Sequence, residues 1–283
     1  MLSLSRTARI EFRGAVGVAW VLPSTVFLIA FFVFPLIHNG LKGFTESGGQ
    51  SAITNYVRLL TEAYYLGTIV QTLVLSLVVT LISLLLGYPI AYYLVRYADK
   101  SANLIIFLLI APLLTSIVMR TFGWKVLFAR TGLVNMLLQQ IGLTVRPINL
   151  MNGYVATVIG LVHVLIPFMV LSISSVLRGI DHRLEESAQI LGANKLQTFC
   201  LITLPLSVEG ILTGSILVFM LTNGAFVSIL LLGQGTIHTL PLLIYQQFMV
   251  TRDVNFASAM GNILLVFALV CLFAQLRVLR RRN

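Results

Sequence analysis

The sequence predicts an all-α polytopic membrane protein with six transmembrane helices and a charged island between the fourth and the fifth. Three observations carry this. Of the 283 residues, 58% are hydrophobic and only 10% are charged, where a soluble globular domain carries about 25% charged residues. Apolar stretches long enough to cross a bilayer, roughly 20 residues each, recur along the whole chain. They are continuously apolar rather than alternating, and backbone in lipid must satisfy its own hydrogen bonds, so each reads as a helix.

The elements follow in order. Residues 1–14 form a cytoplasmic tail with Arg6, Arg9 and Arg13. The apolar run 15–37 is longer than the core of a secretory leader and no small-residue cleavage site follows it, so it reads as an uncleaved first span. A loop follows, with Ser47-Gly48-Gly49 and Thr54-Asn55-Tyr56 as turn material. The second span, 67–95, is entered at Tyr64-Tyr65, whose amphipathic rings favour the interface, and contains Pro89. The third span is 103–122. The loop after it holds Trp124, a turn at Thr131-Gly132 and a short interfacial helix over 133–138. The fourth span, 151–176, contains Pro167, and the fifth, 209–232, contains Asn223-Gly224. The sixth is 257–276, and 277–283 is a second cytoplasmic tail. Residues 15–276 thus make one transmembrane domain, with a loop over 177–208.

The net charge of +10 sorts by side. With six spans and an inside start, twelve Lys and Arg fall inside, Arg277, Arg280, Arg281 and Arg282 among them, and seven fall outside. The positive-inside rule places both termini in the cytoplasm. The basic balance therefore reads as topology beside membrane lipid, and no nucleic-acid partner is implied. Cys200 and Cys271 imply no disulfide framework.

The island reads as helix, turn, helix over 181–205. Asp181 is an N-cap, and Glu185 and Glu186 lie near the positive end of the helix dipole. Leu184, Ser187, Ala188 and Leu191 fall at i, i+3, i+4 and i+7 and share one face. Ser187 and Ala188 are small enough for another surface to approach. Glu185, Glu186 and Gln189 point off that face. Gly192 permits the positive φ that ends a helix, Asn194 can cap a second helix from Lys195 towards Leu204, and Pro205 marks the bend into the fifth span.

Glu186, then Ser187 and Ala188, Gly192 four residues after Ala188, and after nine more Ile202-Thr203-Leu204-Pro205, resembles the cytoplasmic signature of ABC importer permeases. Ser187 stands where alanine is usual. The spacing matches without a gap. Arg120-Thr121-Phe122-Gly123-Trp124, Thr131-Gly132-Leu133-Val134-Asn135 and Leu204–Ile211 further resemble the spermidine/putrescine-type branch, with Glu209 where proline is usual. Together the likeness covers roughly 60–275. It implies that Glu186 to Ala193, with Leu184 beside them, form a coupling helix seated in a groove of a separate ATPase. It also implies two such ATPase subunits, a second permease (a homologue or a copy of this chain), a periplasmic or lipid-anchored binding protein, and residence in a bacterial inner membrane. ATP and Mg would be bound by the partner ATPases.

No Gly-x4-Gly-Lys-Ser/Thr phosphate loop occurs, so no nucleotide site of that kind lies in this chain. His38, His163, His182 and His238 are scattered over different segments without metal-ligand spacing, so no metal site is expected. The spans hold almost no acids, which argues against ion coupling by mid-membrane carboxylates, the requirement of a secondary transporter acting alone. No polar cluster supports an embedded enzyme. Candidates for the solute path are His163, an intramembrane ionisable residue, together with Met220, Asn223 and Phe226 on the fifth span and Asn262 on the sixth. Gly210 and Gly214, four apart, read as close helix packing. The cargo expected is a small polar solute: a polyamine, opine, aminoalkylphosphonate or similar.

Overall fold

Gly87, Gly210 and Gly214 set how closely the central helices approach. The computed structural model describes residues 21–45, 52–98, 101–148 and 153–280; the 1–14 tail and the basic residues Arg281 and Arg282 lie outside them. The helices are α1 (Val21–Lys42), α2 (Ala52–Thr61), α3 (Ala63–Arg96), α4 (Ala102–Leu114), α5 (Ile117–Phe128), α6 (Leu133–Gln140), α7 (Gly153–Gly179), α8 (His182–Ile190), α9 (Lys195–Asn223), α10 (Val227–Leu232), α11 (Leu240–Gln246) and α12 (Val254–Arg280). No strand occurs among the described residues.

The core is the triangle α3–α7–α9. Leu75, Val79, Ala91, Met169, Ile173, Leu177 and Val218 are buried at its centre. A Cβ on Gly210 would lie 3.1 Å from Ile173 Cα, one on Gly214 2.8 Å from Met169 Sδ, and one on Gly87 3.0 Å from Met169 Cγ. In lipid, where burial of apolar surface gives no net drive, such close backbone approach is what holds helices together. A second cluster joins α2, α3, α11 and α12 through Leu59, Tyr65, Leu243, Phe256 and Met260. A third joins α5, α7 and α10 through Phe128, Ala156 and Leu232.

Four expectations change. The third span is not one helix: α4 stops at Leu114 and the chain turns by 101° into 117–140. Pro112 forces a tight turn, Thr115 N–H and Oγ1 both donate to Pro112 O, at 3.3 and 2.8 Å, and Thr115 and Ser116 are extended. The fifth span also ends early, at Asn223, and 227–232 is a separate helix. At the other end α9 begins at Lys195, so the 177–208 loop contracts to 180–194 and Glu209 lies well inside the helix. Residues Thr54-Asn55-Tyr56 are helical in α2 rather than turn material.

Pro205 does not interrupt the helix. Proline lacks the N–H that the carbonyl four residues back would receive, and its ring crowds that carbonyl. The helix widens instead: Leu204 N–H reaches Phe199 O, five residues back. The same device precedes Pro35, where Phe34 N–H reaches Ile29 O. One π-type turn lets each helix pass its proline.

Gly210→Leu should overpack the α7–α9 contact, at about 1–3 kcal/mol, and lower the unfolding temperature of the detergent-solubilised chain. Gly67→Leu, with nothing within 4 Å of its Cβ position, should leave it unchanged. Equal behaviour of the two variants would show that the glycine contact does not hold the core.

Candidate functional site

The charged island is a nine-residue helix with defined ends. Asp181 is extended, and its carboxylate accepts from Arg183 N–H at 2.9 Å. At the other end Ala193 N–H donates to Ala188 O and Gly192 N–H to Gln189 O, both at 3.0 Å. That paired pattern needs a left-handed residue, and Gly192 has φ +94°. Asn194 then caps α9: its side chain accepts from Gln197 N–H at 2.8 Å while Gln197 returns a bond to Asn194 N–H at 2.9 Å. The stops and starts expected from the sequence stand at these residues.

What holds α8 to the bundle was not expected. Glu185 is its only fully buried side chain, 3% exposed. Its Oε1 accepts from Arg96 Nη2 at 2.9 Å, Arg96 Nε at 3.2 Å and Thr203 Oγ1 at 2.9 Å. Arg96, at the end of α3, also donates from Nη1 and Nη2 to Ile180 O at 3.3 Å, just past the end of α7. One ion pair therefore gathers the ends of α3 and α7, helix α8, and the first turns of α9. Close by, Ser207 donates to Leu204 O at 3.0 Å and shares a 2.8 Å hydrogen bond with the hydroxyl of Tyr88, joining α3 to α9. Glu185 points into the bundle, contrary to its expected place beside Glu186.

The opposite side of α8 is bare. Ile190 is 85% and Leu191 88% exposed, Leu184 is exposed, and Leu196 on α9 is exposed at 71%. Ser187 is exposed, and Ala188 and Ala193 are half-buried. Glu186 is exposed and its Oε1 lies 3.0 Å from His182 Nδ1. The predicted face of Leu184, Ser187 and Leu191 is accessible. Ile190, absent from that set, extends it.

The five path candidates do not form one lining. His163, on α7, meets the edge of Trp124 of α5 at 5.3 Å between ring centroids, and its Nδ1 is enclosed without a hydrogen bond. Arg120, one turn before Trp124, likewise has Nε and Nη1 enclosed and unpartnered. Asn223 donates to Phe219 O of its own helix at 2.9 Å and borders a small crevice of about 20 Å³ with Ile69, Thr72, Leu240 and Phe267. Phe226 stacks on Tyr245 at 5.3 Å. Met220 is half-buried on α9. Asn262 is spent on packing: its amide donates to Gly40 O at 2.9 Å and Tyr56 Oη at 2.8 Å, tying α12 to α1 and α2. Among the described residues no group of three His, Cys, Asp or Glu could hold a metal ion.

Residues 83–283 match the family of binding-protein-dependent transport system inner membrane components. The chain belongs to that family. This inner membrane component is 34% identical over 184 residues to the spermidine/putrescine transport system permease protein PotB of Haemophilus influenzae, a match covering 65% of this chain and 64% of the relative. It is 37% identical over 176 residues to the PotB protein of Escherichia coli, covering 59% and 64%. It thus spans a little under two thirds of the length of these curated relatives. Its fold is similar to that of a chain in the crystal structure of a bacterial alginate ABC transporter in complex with an alginate pentasaccharide-bound periplasmic protein. The TM-score is 0.77 at 24% identity, covering 98% of both chains.

Gly192→Ala forces a side chain into the left-handed region, at about 1–2 kcal/mol. The amides of 188–193 should then exchange hydrogen roughly five- to thirtyfold faster, while Gly192→Asn should show a smaller effect. Unchanged exchange in Gly192→Ala would show that this helix end is not held as described.

Proposed function

We propose that this inner membrane component is the permease subunit of an ATP-driven importer, with α8 as its coupling helix. The observation that carries the reading is Ile190 and Leu191, 85% and 88% exposed, on a helix capped at both ends and held from behind by a buried ion pair. A short rigid helix that leaves the membrane bundle and presents aliphatic side chains suits insertion into a preformed groove. Two ATPase subunits supply that groove and bind the ATP and Mg. A second permease, a homologue or a copy of this chain, completes the pathway. A periplasmic or lipid-anchored binding protein brings the solute from outside, and this chain performs no covalent chemistry.

In this orientation the 180–194 end and both termini face the cytoplasm of a bacterium. The charge asymmetry supports it, as does the position of α8 between two long apolar helices. Closure of the ATPase dimer then drives α8, and with it the α3–α7–α9 core, to alternate access to a central path.

The cargo is a small polar solute. The names of the PotB relatives support a polyamine. The acids among the described residues are Glu62, Asp181, Glu185, Glu186, Glu209 and Asp253. Asp181, Glu185 and Glu186 belong to the α8 island, and Glu62 pairs with Arg58 between α2 and α3. Glu209, exposed on α9, is the acid this chain could offer a polyamine on the path; further carboxylates would come from the second permease, and an opine or aminoalkylphosphonate would not need them. Asn223 beside its crevice, with Met220 and Phe226 next to it, borders the path in this reading, and His163 stands nearer α5.

Ile190→Asp with Leu191→Asp places two charges where apolar contact is required. A central anchor of an interface is worth about 2–4 kcal/mol, so co-purification of the ATPase from detergent-solubilised membranes should fall by roughly thirtyfold or more. Val266→Asn, at an exposed position on α12, should leave it intact. An ATPase that co-purifies equally with the double variant rules out α8 as the docking element.

A further inference from the structure

We propose that Glu185 is the joint that makes the docking helix move as one body with the α3–α7–α9 core. The joint rests on the proposed role of α8. It concerns a different residue from the exposed Glu186, and a different question: how a push on α8 reaches the membrane helices.

A helix docked on a bundle is normally held by apolar side chains facing inwards. Here the aliphatic residues Leu184, Ile190 and Leu191 face outwards, and the one fully buried side chain is a carboxylate. The links to the neighbouring helices are short: Ile180-Asp181 after Gly179 on one side, Leu191–Asn194 with Gly192 on the other. Tethered by these alone, α8 could swivel under load and dissipate the push. The five hydrogen bonds that Arg96 and Thr203 make around Glu185 and Ile180 O remove that freedom. Together they tie α8 to three elements: Arg96 closes α3, Ile180 follows α7 and Thr203 lies in the π-type turn of α9.

The chemistry of the joint suits this role. Both partners are enclosed, with side chains 7% and 4% exposed. Burying two charges adds little net stability, because desolvation offsets the attraction. It does fix geometry, since a planar guanidinium serves the carboxylate and the Ile180 carbonyl in one fork only. An apolar residue at 185 would hold α8 to the surface and leave it free to slide. Directional bonds from three elements hold its position and its angle.

The test uses the assembled importer in nanodiscs and the binding protein purified from periplasm with the solute it carries. ATP hydrolysis is read with and without that protein. Glu185→Gln should keep the ATPase bound and basal hydrolysis near wild type, while stimulation by the binding protein falls to a ratio of about one, the limit at which no coupling free energy passes between the sites. Thr203→Val should lower the ratio partway, and Thr203→Ser should restore it. Spin labels at Gln189 and Ser175, with Cys200 and Cys271 replaced by serine, should report one distance with and without MgATP in the wild type, and a broadened one in Glu185→Gln. Full stimulation in Glu185→Gln overturns the joint. So does a wild-type Gln189–Ser175 distance that changes with MgATP, since α8 would then be a hinge. If Glu185→Gln fails to assemble, Thr203→Val decides: wild-type stimulation overturns the joint and reduced stimulation rescued by serine supports it. A wild-type chain that brings down no ATPase refutes the importer reading itself.

Discussion

A single buried carboxylate, Glu185, sets where the exposed end of this bundle points. Three donors converge on its Oε1, from Arg96 and Thr203, and Arg96 reaches on to the carbonyl that follows α7. Losing one member of a buried ion pair leaves the other charge uncompensated, at about 3–5 kcal/mol. The apolar face of α8 is free for a partner because its attachment is polar. Were Leu184, Ile190 and Leu191 needed for anchoring, nothing apolar would remain to dock.

The bundle above this joint is rigid for a separate reason. Glycines at 87, 210 and 214 bring α3, α7 and α9 into near backbone contact around Met169, Ser172 and Ile173. The outer helices are joined differently. Asn262 and Ser258 of α12 hydrogen-bond to Gly40 and Asn39 of α1, and the hydropathic stretch of α1 itself buries nothing against the rest of the chain. The molecule thus divides into a tight triangle carrying α8 and a looser periphery linked by amide and hydroxyl bonds.

Much of this was legible in the sequence because it rests on local chemistry. Asp181, Gly192 and Asn194 end and begin helices through bonds to residues within five positions, so residue type and spacing suffice. Gly210 and Gly214 show their purpose by their four-residue spacing. The membrane class follows from composition alone. The breaks within spans were less legible. Hydropathy passes smoothly over Pro112-Leu113-Leu114 and over Asn223-Gly224, and whether a proline or a polar pair ends a helix depends on what its neighbours leave room for. Pro205 shows the opposite outcome, a helix that widens and continues. Glu185 was least legible. Beside Glu186 on a short polar helix it reads as solvated, and its partner lies 89 residues earlier. The available signal was Arg96 at the loop end of a long apolar helix, a charge that needs a counter-charge once buried. Asn262 was open for the same reason: an intramembrane amide serves packing or a path equally well in the sequence, and its acceptors, Gly40 O and Tyr56 Oη, lie more than 200 residues away.

The central claim is that α8 docks a separate motor while staying fixed to the core. Hydrogen exchange of the solubilised chain with and without its ATPase tests both parts at once. The account predicts strong new protection confined to 184–193 and the start of α9, with amides around Arg96 and Thr203 slow in both states. Protection that appears elsewhere while 184–193 stays unchanged, or fast exchange around Thr203 in the free chain, would contradict it.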